Sequence, residues 1–369
     1  MKRILCLFCA VLCCSHAAHA QQPTSRPLKL AIAGLSHTHV HWILGRPNRG
    51  DIQIVGISEP NRKLMDRYAQ QYGFHEDLVF SGLDKMLDAV KPEAVAAFGS
   101  TYDHLKVVQA CAPRGIHVIV EKPLAVNLEH IFAIEALAKK HAIHVLTNYE
   151  TTWYPSTQAV YGLVHEQQMT GPVRKIVVHD GYQGPKEIGV NQEFLEWLID
   201  PVLNGGGALM DFGCYGASLV TWLMRGVEPL SVMAVTQQIK PEIYSAVEDE
   251  ATIILEYPKA QAIIQASWNW PFNRKDMEVY GRTGYAHALD GRNLRVRKEN
   301  ENQERMLVLE PISAPLDESF AYFAAVVRGE VRVSDTDLSS LGNNVLVMRI
   351  LEAAKQSAAT GKTVKLAPH

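Results

Sequence analysis

From Leu28 onward, short apolar runs alternate with amphipathic stretches. Leu28–Ala33, Ile52–Ser58, Ala94–Phe98, Ile116–Val120 and His144–Thr147 are nearly continuous in apolar residues, the pattern of strands buried on both faces. Between them, Asn61–Tyr72, Leu83–Val90, Tyr102–Ala112 and Leu128–His141 read as helices. Strand–helix alternation at this spacing predicts a doubly wound parallel sheet of the Rossmann type over residues 28–149. Past Tyr149 the pattern changes. Helices are predicted at Ser156–Gln168 and Ala208–Met224, and then strands follow one another at Leu230–Gln237, Glu250–Tyr257, Ala260–Trp268 and Asp276–Gly281. The chain closes with helices at Asp317–Val327 and Asp335–Ala359. Strands grouped apart from helices predict a second, α+β domain over 150–369 with a largely antiparallel open sheet, so the overall class is α/β.

The first twenty residues stand outside this scheme. Lys2 and Arg3 precede an apolar core, Ile4–Cys14, and Ala18-His19-Ala20 is a small-x-small cleavage pattern before Gln21. That core is too short to span a membrane comfortably, and the expectation is a cleaved export signal and a periplasmic or otherwise extracytoplasmic mature protein. Cleavage removes four of six cysteines and leaves Cys111 and Cys214, too few for a disulfide framework. Losing Lys2 and Arg3 also takes the formal net charge from −3 to −5. Mild acidity without a basic block argues against nucleic acid or an anionic membrane surface as partner.

Candidate chemistry sits at the ends of the predicted parallel strands, the rim where open α/β sheets bind ligands. After the first strand comes Gly34-Leu35-Ser36-His37-Thr38-His39, where a dinucleotide turn would read G-x-G-x-x-G. The first glycine is kept; Ser36 and His39 replace the second and third. Ser36 can still donate to phosphate, and a helix N-terminus there would favour an anion. Glu59 ends the second strand, where a carboxylate accepts from adenosine ribose hydroxyls and repels a 2′-phosphate, favouring NAD over NADP. Arg62 nearby weakens that preference. On a helix His37 and His41 would share a face and His39 would point elsewhere. With no cysteine or second histidine cluster to complete a ligand set, no metal is expected, and His37 is placed over the phosphates or nicotinamide.

Two further segments carry the reading. Glu121-Lys122-Pro123 follows the fourth predicted strand, and Asn204-Gly-Gly-Gly-Ala-Leu-Met-Asp211-Phe-Gly-Cys-Tyr215 lies in the second half. Together they resemble the Gfo/Idh/MocA oxidoreductase family. The resemblance implies that Lys122 lies near nicotinamide and substrate, that Glu121 places the ribose, and that Pro123 follows a cis bond. Ser100-Thr101-Tyr102-Asp103-His104 stands in the place of the family's T-P-N-x-x-H segment, which adds Ser100 and His104 to the cofactor contacts. Asp211 and Tyr215, four apart, are expected on one helix face. Tyrosine at the second place resembles the exported glucose–fructose oxidoreductase branch. There Tyr215, with its pKa lowered by Lys122, serves as general base while Asp211 orients the substrate hydroxyl or the lysine. Burial or a nearby cation would also push the Lys122 amine toward neutrality. Trp268, Trp153, Arg274 and Lys275 are read as structural residues.

The expected function is hydride transfer between a nicotinamide cofactor, NAD before NADP, and a hydroxyl-bearing carbon of a sugar or cyclitol. Because free NAD is scarce outside the cytoplasm, the cofactor is expected to be tightly held. An alternative is a glycosidase working by transient oxidation, elimination and reduction. A third reading is a non-catalytic sugar-binding protein on a dehydrogenase scaffold, suggested by Ser36 and His39. Homo-oligomerisation is expected by family analogy.

Overall fold

The computed structural model describes residues 26–366. The proposed export signal therefore lies outside the described residues. The first half contains β1 (Leu28–Ala33), α1 (Val40–Leu44), β2 (Ile52–Ser58), α2 (Arg62–Tyr72), β3 (Val79–Phe80) and α3 (Leu83–Val90). It continues with β4 (Ala94–Ala97), α4 (Asp103–Cys111), β5 (His117–Glu121), α5 (Leu128–His141) and β6 (Val145–Asn148). All six strands are parallel, in the order β3-β2-β1-β4-β5-β6. The order reverses between β1 and β4, so a crevice opens outside their carboxyl ends. Gly34 leaves β1 and Gly99 follows β4 there. Gly34 has φ +83°, and a Cβ on it would lie 2.7 Å from the Gly99 nitrogen, so only glycine lets the two turns pass this closely.

The second half holds α6 (Pro155–Tyr161), β7 (Val173–Gly181), α7 (Gln192–Leu198), α8 (Ala208–Asp211) and α9 (Gly213–Leu223). Then come β8 (Ser231–Gln237), β9 (Glu250–Glu256), β10 (Gln261–Ser267), β11 (Arg274–Gly281), β12 (Gly284–Ala288), β13 (Asn293–Lys298) and β14 (Arg305–Val308). The chain ends with α10 (Ser319–Val327), α11 (Leu341–Thr360) and β15 (Val364–Lys365). The sheet runs β14-β13-β12-β11-β7-β10-β9-β8-β15 and is antiparallel except where β7 pairs parallel with β10. Its central strand, β7, was not predicted; Arg174, Lys175, His179 and Asp180 interrupt its apolar residues. Along β10 buried and half-exposed positions alternate, so one face carries the core.

Two apolar clusters fix the arrangement. One lies under β1 and β2 and includes Phe320 and Phe323 of α10, which returns to the parallel sheet. The other is continuous from the opposite face of that sheet through α8, α9 and α11 into the second sheet. Side-chain caps start the helices that matter: Asn61 on α2, Asn127 on α5, Glu318 on α10 and Ser340 on α11.

Phe323 is fully buried between α10 and the parallel sheet. Phe323→Ala is expected to cost about 3–5 kcal/mol in urea unfolding, the range for an aromatic deleted from a packed core.

Candidate active site

Two cavities flank the turn after β1. The larger, about 650 Å³, is lined by Gly34, Ser36, Glu59, Gly99, Asp103 and His104, with Glu193 reaching over it from α7. The smaller, about 160 Å³, is lined by His37, His39, Lys122, Asp211, Tyr215 and Lys275, among others. The parallel sheet supplies His37, His39 and Lys122. The second half of the chain supplies the rest.

Asp211 reaches the junction because Gly205, Gly206 and Gly207 carry the chain tightly against Val126 and Glu248. The Gly207 amide donates to Glu248 Oε1 at 2.9 Å. α8 ends at Asp211 and α9 begins at Gly213, so Asp211 and Tyr215 lie on two short helices broken at Phe212, not on one. Lys122 donates to Asp211 Oδ1, and the pair is buried. The other carboxylate oxygen accepts from Trp268 Nε1 at 2.9 Å and Tyr182 OH at 3.3 Å. Burial alone would depress the Lys122 ammonium, but Asp211 outweighs it and holds the pKa above the ordinary lysine value. The expected drift toward neutrality is thus reversed. Asp211 holds Lys122 as a cation.

Tyr215 also departs from expectation. Burial pushes its phenol well above the ordinary tyrosine value, reinforced by the negative charge of Glu150. The Lys122 and Lys275 ammonium groups face its ring at 5.3 and 5.1 Å, and Lys275 pairs with Glu150. Tyr215 is therefore a protonated donor at neutral pH, not a base.

The nucleotide side is mixed. Glu59 is buried at the expected place, accepting from the Leu35 amide at 2.9 Å and the Asn61 amide at 2.8 Å. Arg62 turns away to Asp66, 2.7 Å, and does not line the cleft. Ser36 lines the cleft, its hydroxyl donating weakly to the Phe98 carbonyl at 3.4 Å. Ser100 lines neither cavity; its hydroxyl donates to Asp103 Oδ2 at 2.7 Å. His104 donates from Nδ1 to the Leu124 carbonyl at 3.1 Å and presents an unpartnered Nε2. Burial lowers its pKa to about 4. α1 is only five residues long, too short for the expected helix-terminal anion site.

The histidines are rearranged most. Residues 37–39 form a turn ahead of α1, so His37 and His39 come together with ring centroids 4.6 Å apart, while His41 stacks on Tyr68. His39 Nδ1 lies 2.9 Å from Glu121 Oε2, and His37 Nε2 lies 4.0 Å from the same oxygen. Glu121 thus supplies the third donor of a possible metal set, all three within 4.8 Å, which corrects the expectation that further ligands are lacking. The protons stand against coordination in this arrangement. The His39 amide donates to His37 Nδ1 at 3.1 Å, which leaves the proton of neutral His37 on Nε2, where a metal needs a lone pair. Burial lowers both imidazoles well below their ordinary value.

Lys275, Tyr182 and Trp268 were missed as site residues, as was Trp153, which donates to Asn148 Oδ1 at 3.0 Å while Asn148 donates to Glu121 Oε1 at 2.9 Å. A tryptophan closing a strand beside a polar run was the available sign. It does not separate core from support.

Residues 28–149 match the profile of an oxidoreductase family with an NAD-binding Rossmann fold, and residues 160–287 match the GFO/IDH/MocA C-terminal domain. The chain belongs to the Gfo/Idh/MocA family. Its homologues are oxidoreductases and dehydrogenases, and the Lys122–Pro123 bond is cis, as the family resemblance implies. A trans-1,2-dihydrobenzene-1,2-diol dehydrogenase of Xenopus tropicalis is 27% identical over 225 residues, which span 59% of this chain and 61% of that protein. A 1,5-anhydro-D-fructose reductase of Ensifer adhaerens is 20% identical over 91% of this chain and 97% of its own. An inositol dehydrogenase homologue of Azotobacter vinelandii, solved with NAD+, superposes with a TM-score of 0.80 at 18% identity, covering 92% of this chain and 98% of that one. Among the described residues no helix is long and apolar enough to cross a membrane.

Removing one partner of the buried Lys122–Asp211 pair strands a charge. Asp211→Asn is expected to lower stability by about 3–5 kcal/mol, and adding Lys122→Met should recover much of that loss in urea titration. His104 gives a pH test. Its folded pKa lies below its unfolded value of about 6.5, so the stability is present above pH 6.5 and is lost as pH falls toward 4. That window corresponds to about 3 kcal/mol, and His104→Gln should flatten the urea midpoint across it by up to one proton's slope.

Proposed function

We propose that this protein is an exported, NAD-dependent dehydrogenase that moves hydride between the nicotinamide and a hydroxyl-bearing carbon of a sugar or cyclitol. The observation that carries this reading is the Lys122–Asp211 pair, delivered from the two halves of the chain to one cavity beside the nucleotide cleft. Gly34, Ser36, Glu59 and His104 line the larger cleft, which supports adenosine and phosphates there, and Glu121 at the end of β5 is suited to the ribose. The residues fit the adenosine half well. Bound NAD would supply the hydride acceptor.

The chain's own groups do the rest. The Lys122 ammonium and Tyr215 phenol are donors suited to hold the substrate oxygen and to stabilise negative charge as it develops there. Asp211 keeps the ammonium charged and aimed. Glu59 in the cleft, with Arg62 turned away to Asp66 and Arg114 paired with Asp84 and Asp88, supports NAD over NADP. Phe194 and Trp197 of α7 pack on His37 at 4.7 and 5.6 Å, and this cover supports retention of the cofactor between turnovers. The charged, apolar and small-residue order of the N-terminal segment supports export. The curated relatives are named for oxidation and reduction; none of those names supports the glycosidase alternative.

Mass spectrometry of the denatured protein should release NAD. Incubation with NAD and myo-inositol or D-xylose should give absorbance at the reduced nicotinamide band, and Lys122→Ala should lower kcat by about a hundredfold or more. Neither NAD release nor NAD affinity, with unchanged behaviour in Lys122→Ala, would move the non-catalytic sugar-binding reading to first place.

A further inference from the structure

A dehydrogenase working at neutral pH needs a group to take the hydroxyl proton. Asp211 at its side holds the Lys122 ammonium charged, and burial keeps the Tyr215 phenol protonated, so neither is suited to accept it. Both Asp211 oxygens are taken up by Lys122, Trp268 and Tyr182, which leaves the two imidazoles as bases on the cavity wall. Their hydrogen bonds tell them apart.

His37 has its Nδ1 lone pair occupied by the His39 amide, so its Nε2 carries hydrogen and is a donor. His39 is the reverse. Its Nδ1 faces Glu121 Oε2 at 2.9 Å, and a carboxylate oxygen accepts, so the proton sits on Nδ1. Glu121 is itself fixed: Trp153 Nε1 donates to Asn148 Oδ1, and Asn148 Nδ2 donates to Glu121 Oε1. Donors converge on the Glu121 carboxylate, Trp153 through Asn148 on one oxygen and His39 on the other. Trp42 stacks on the His39 ring at 3.7 Å and 15°, which holds its plane. The result is an oriented imidazole with a lone pair on Nε2, on the wall shared with Lys122 and Asp211.

We propose that His39, oriented by Glu121, is the general base that takes the substrate's hydroxyl proton. This rests on the dehydrogenase reading above. The O–H bond breaks, its proton goes to His39 Nε2 and its electron pair forms the second C–O bond. The carbon's hydride, with its bonding pair, would be accepted by oxidised nicotinamide when bound, so the substrate would lose two electrons and the cofactor would gain them. The imidazolium formed lies against the Glu121 carboxylate, which stabilises it as the carboxylate of a Ser-His-Asp triad does. Lys122 stays protonated throughout and stabilises the oxygen. Glu121 and Asn148 act through His39 and are positioning residues.

The groups facing His39 are Glu121, Lys122, Lys275, Glu150, Asp211 and His37. Burial is the largest influence on His39, and Lys122 and Lys275 add to it, holding the imidazole neutral well below pH 6.5. The base must be unprotonated, so kcat/KM should fall on the acid side, below pH 6.5.

The test uses the full enzyme with NAD and either myo-inositol or D-xylose. His39→Asn keeps a donor for Glu121 but removes the base. It should lower kcat by about 10²–10⁴-fold and abolish the acid limb, and imidazole in the buffer should restore activity to His39→Gly. Nitrogen NMR of histidine-labelled wild type, without substrate, should place the His39 proton on Nδ1. Wild-type kcat within about threefold in His39→Asn, an unchanged acid limb, or a proton on Nε2 would each overturn the proposal. So would one equivalent of metal retained by wild type and lost in His39→Asn. Should wild type reduce no NAD with either compound, the dehydrogenase reading fails and the base with it; the NMR result would then still report the His39–Glu121 bond by itself.

Discussion

A single buried ion pair organises this protein's chemistry. Two opposite charges removed from water cost several kcal/mol each unless their remaining hydrogen-bonding capacity is met. Asp211 meets that requirement with three donors: Lys122, Trp268 and Tyr182. Lys122 leaves β5 on the parallel sheet, Asp211 ends α8, and Trp268 and Tyr182 follow β10 and β7 of the second sheet. The pair therefore joins the two halves at the point where a ligand must sit. Neither half completes it alone.

The pair also decides which groups can move protons. By holding Lys122 charged, Asp211 removes the lysine from the list of bases and makes it an electrostatic donor. A second pair, Lys275 with Glu150, stands across the Tyr215 ring, so two cations face one aromatic system. Burial keeps the imidazoles beside this wall neutral, and the positive charge of Lys122 adds to it. The cavity thus sets charged donors against neutral imidazoles.

Much of this was legible in the sequence where the physics is local. The strands of the parallel sheet are runs buried on both faces, and their ends fell within a residue or two of the observed ones because each is followed by a turn. Lys122, Asp211, Glu59 and Gly34 could be located from the sequence for the same reason, each at the end of an element. β7 was not legible, since a strand with one face half exposed carries arginine, lysine and histidine and loses its apolar signature. Strands β12 to β14 were missed for a similar cause. Lys275 takes its meaning from its register opposite Asp180, a pairing between residues far apart in the chain. The charge states of Lys122 and Tyr215 were misread because proximity of a cation was weighed without burial and without Asp211. The His39–Glu121 bond was hidden because a helical phase was assumed for residues that form a turn.

That turn bears on how a dinucleotide is held. The amides of Gly34, Leu35, His37 and His39 donate to Ser58, Glu59, Phe98 and His37 within the protein, so few loop donors remain for phosphate oxygens. The third glycine of the usual turn, which permits close helix–strand packing, is replaced by an imidazole that reaches Glu121 instead. The phosphate grip is weakened by the same residue that furnishes a base. Holding a nucleotide then falls to Glu59 at one end and to the cover at the other, where α7 lays Phe194 and Trp197 on His37 and Glu193 pairs with Arg67 of α2. A cofactor held by enclosure leaves slowly because a segment must move, whereas one held by phosphate hydrogen bonds leaves as those bonds exchange with water. If the protein is exported as proposed, where free nucleotide is scarce, enclosure is the more useful of the two.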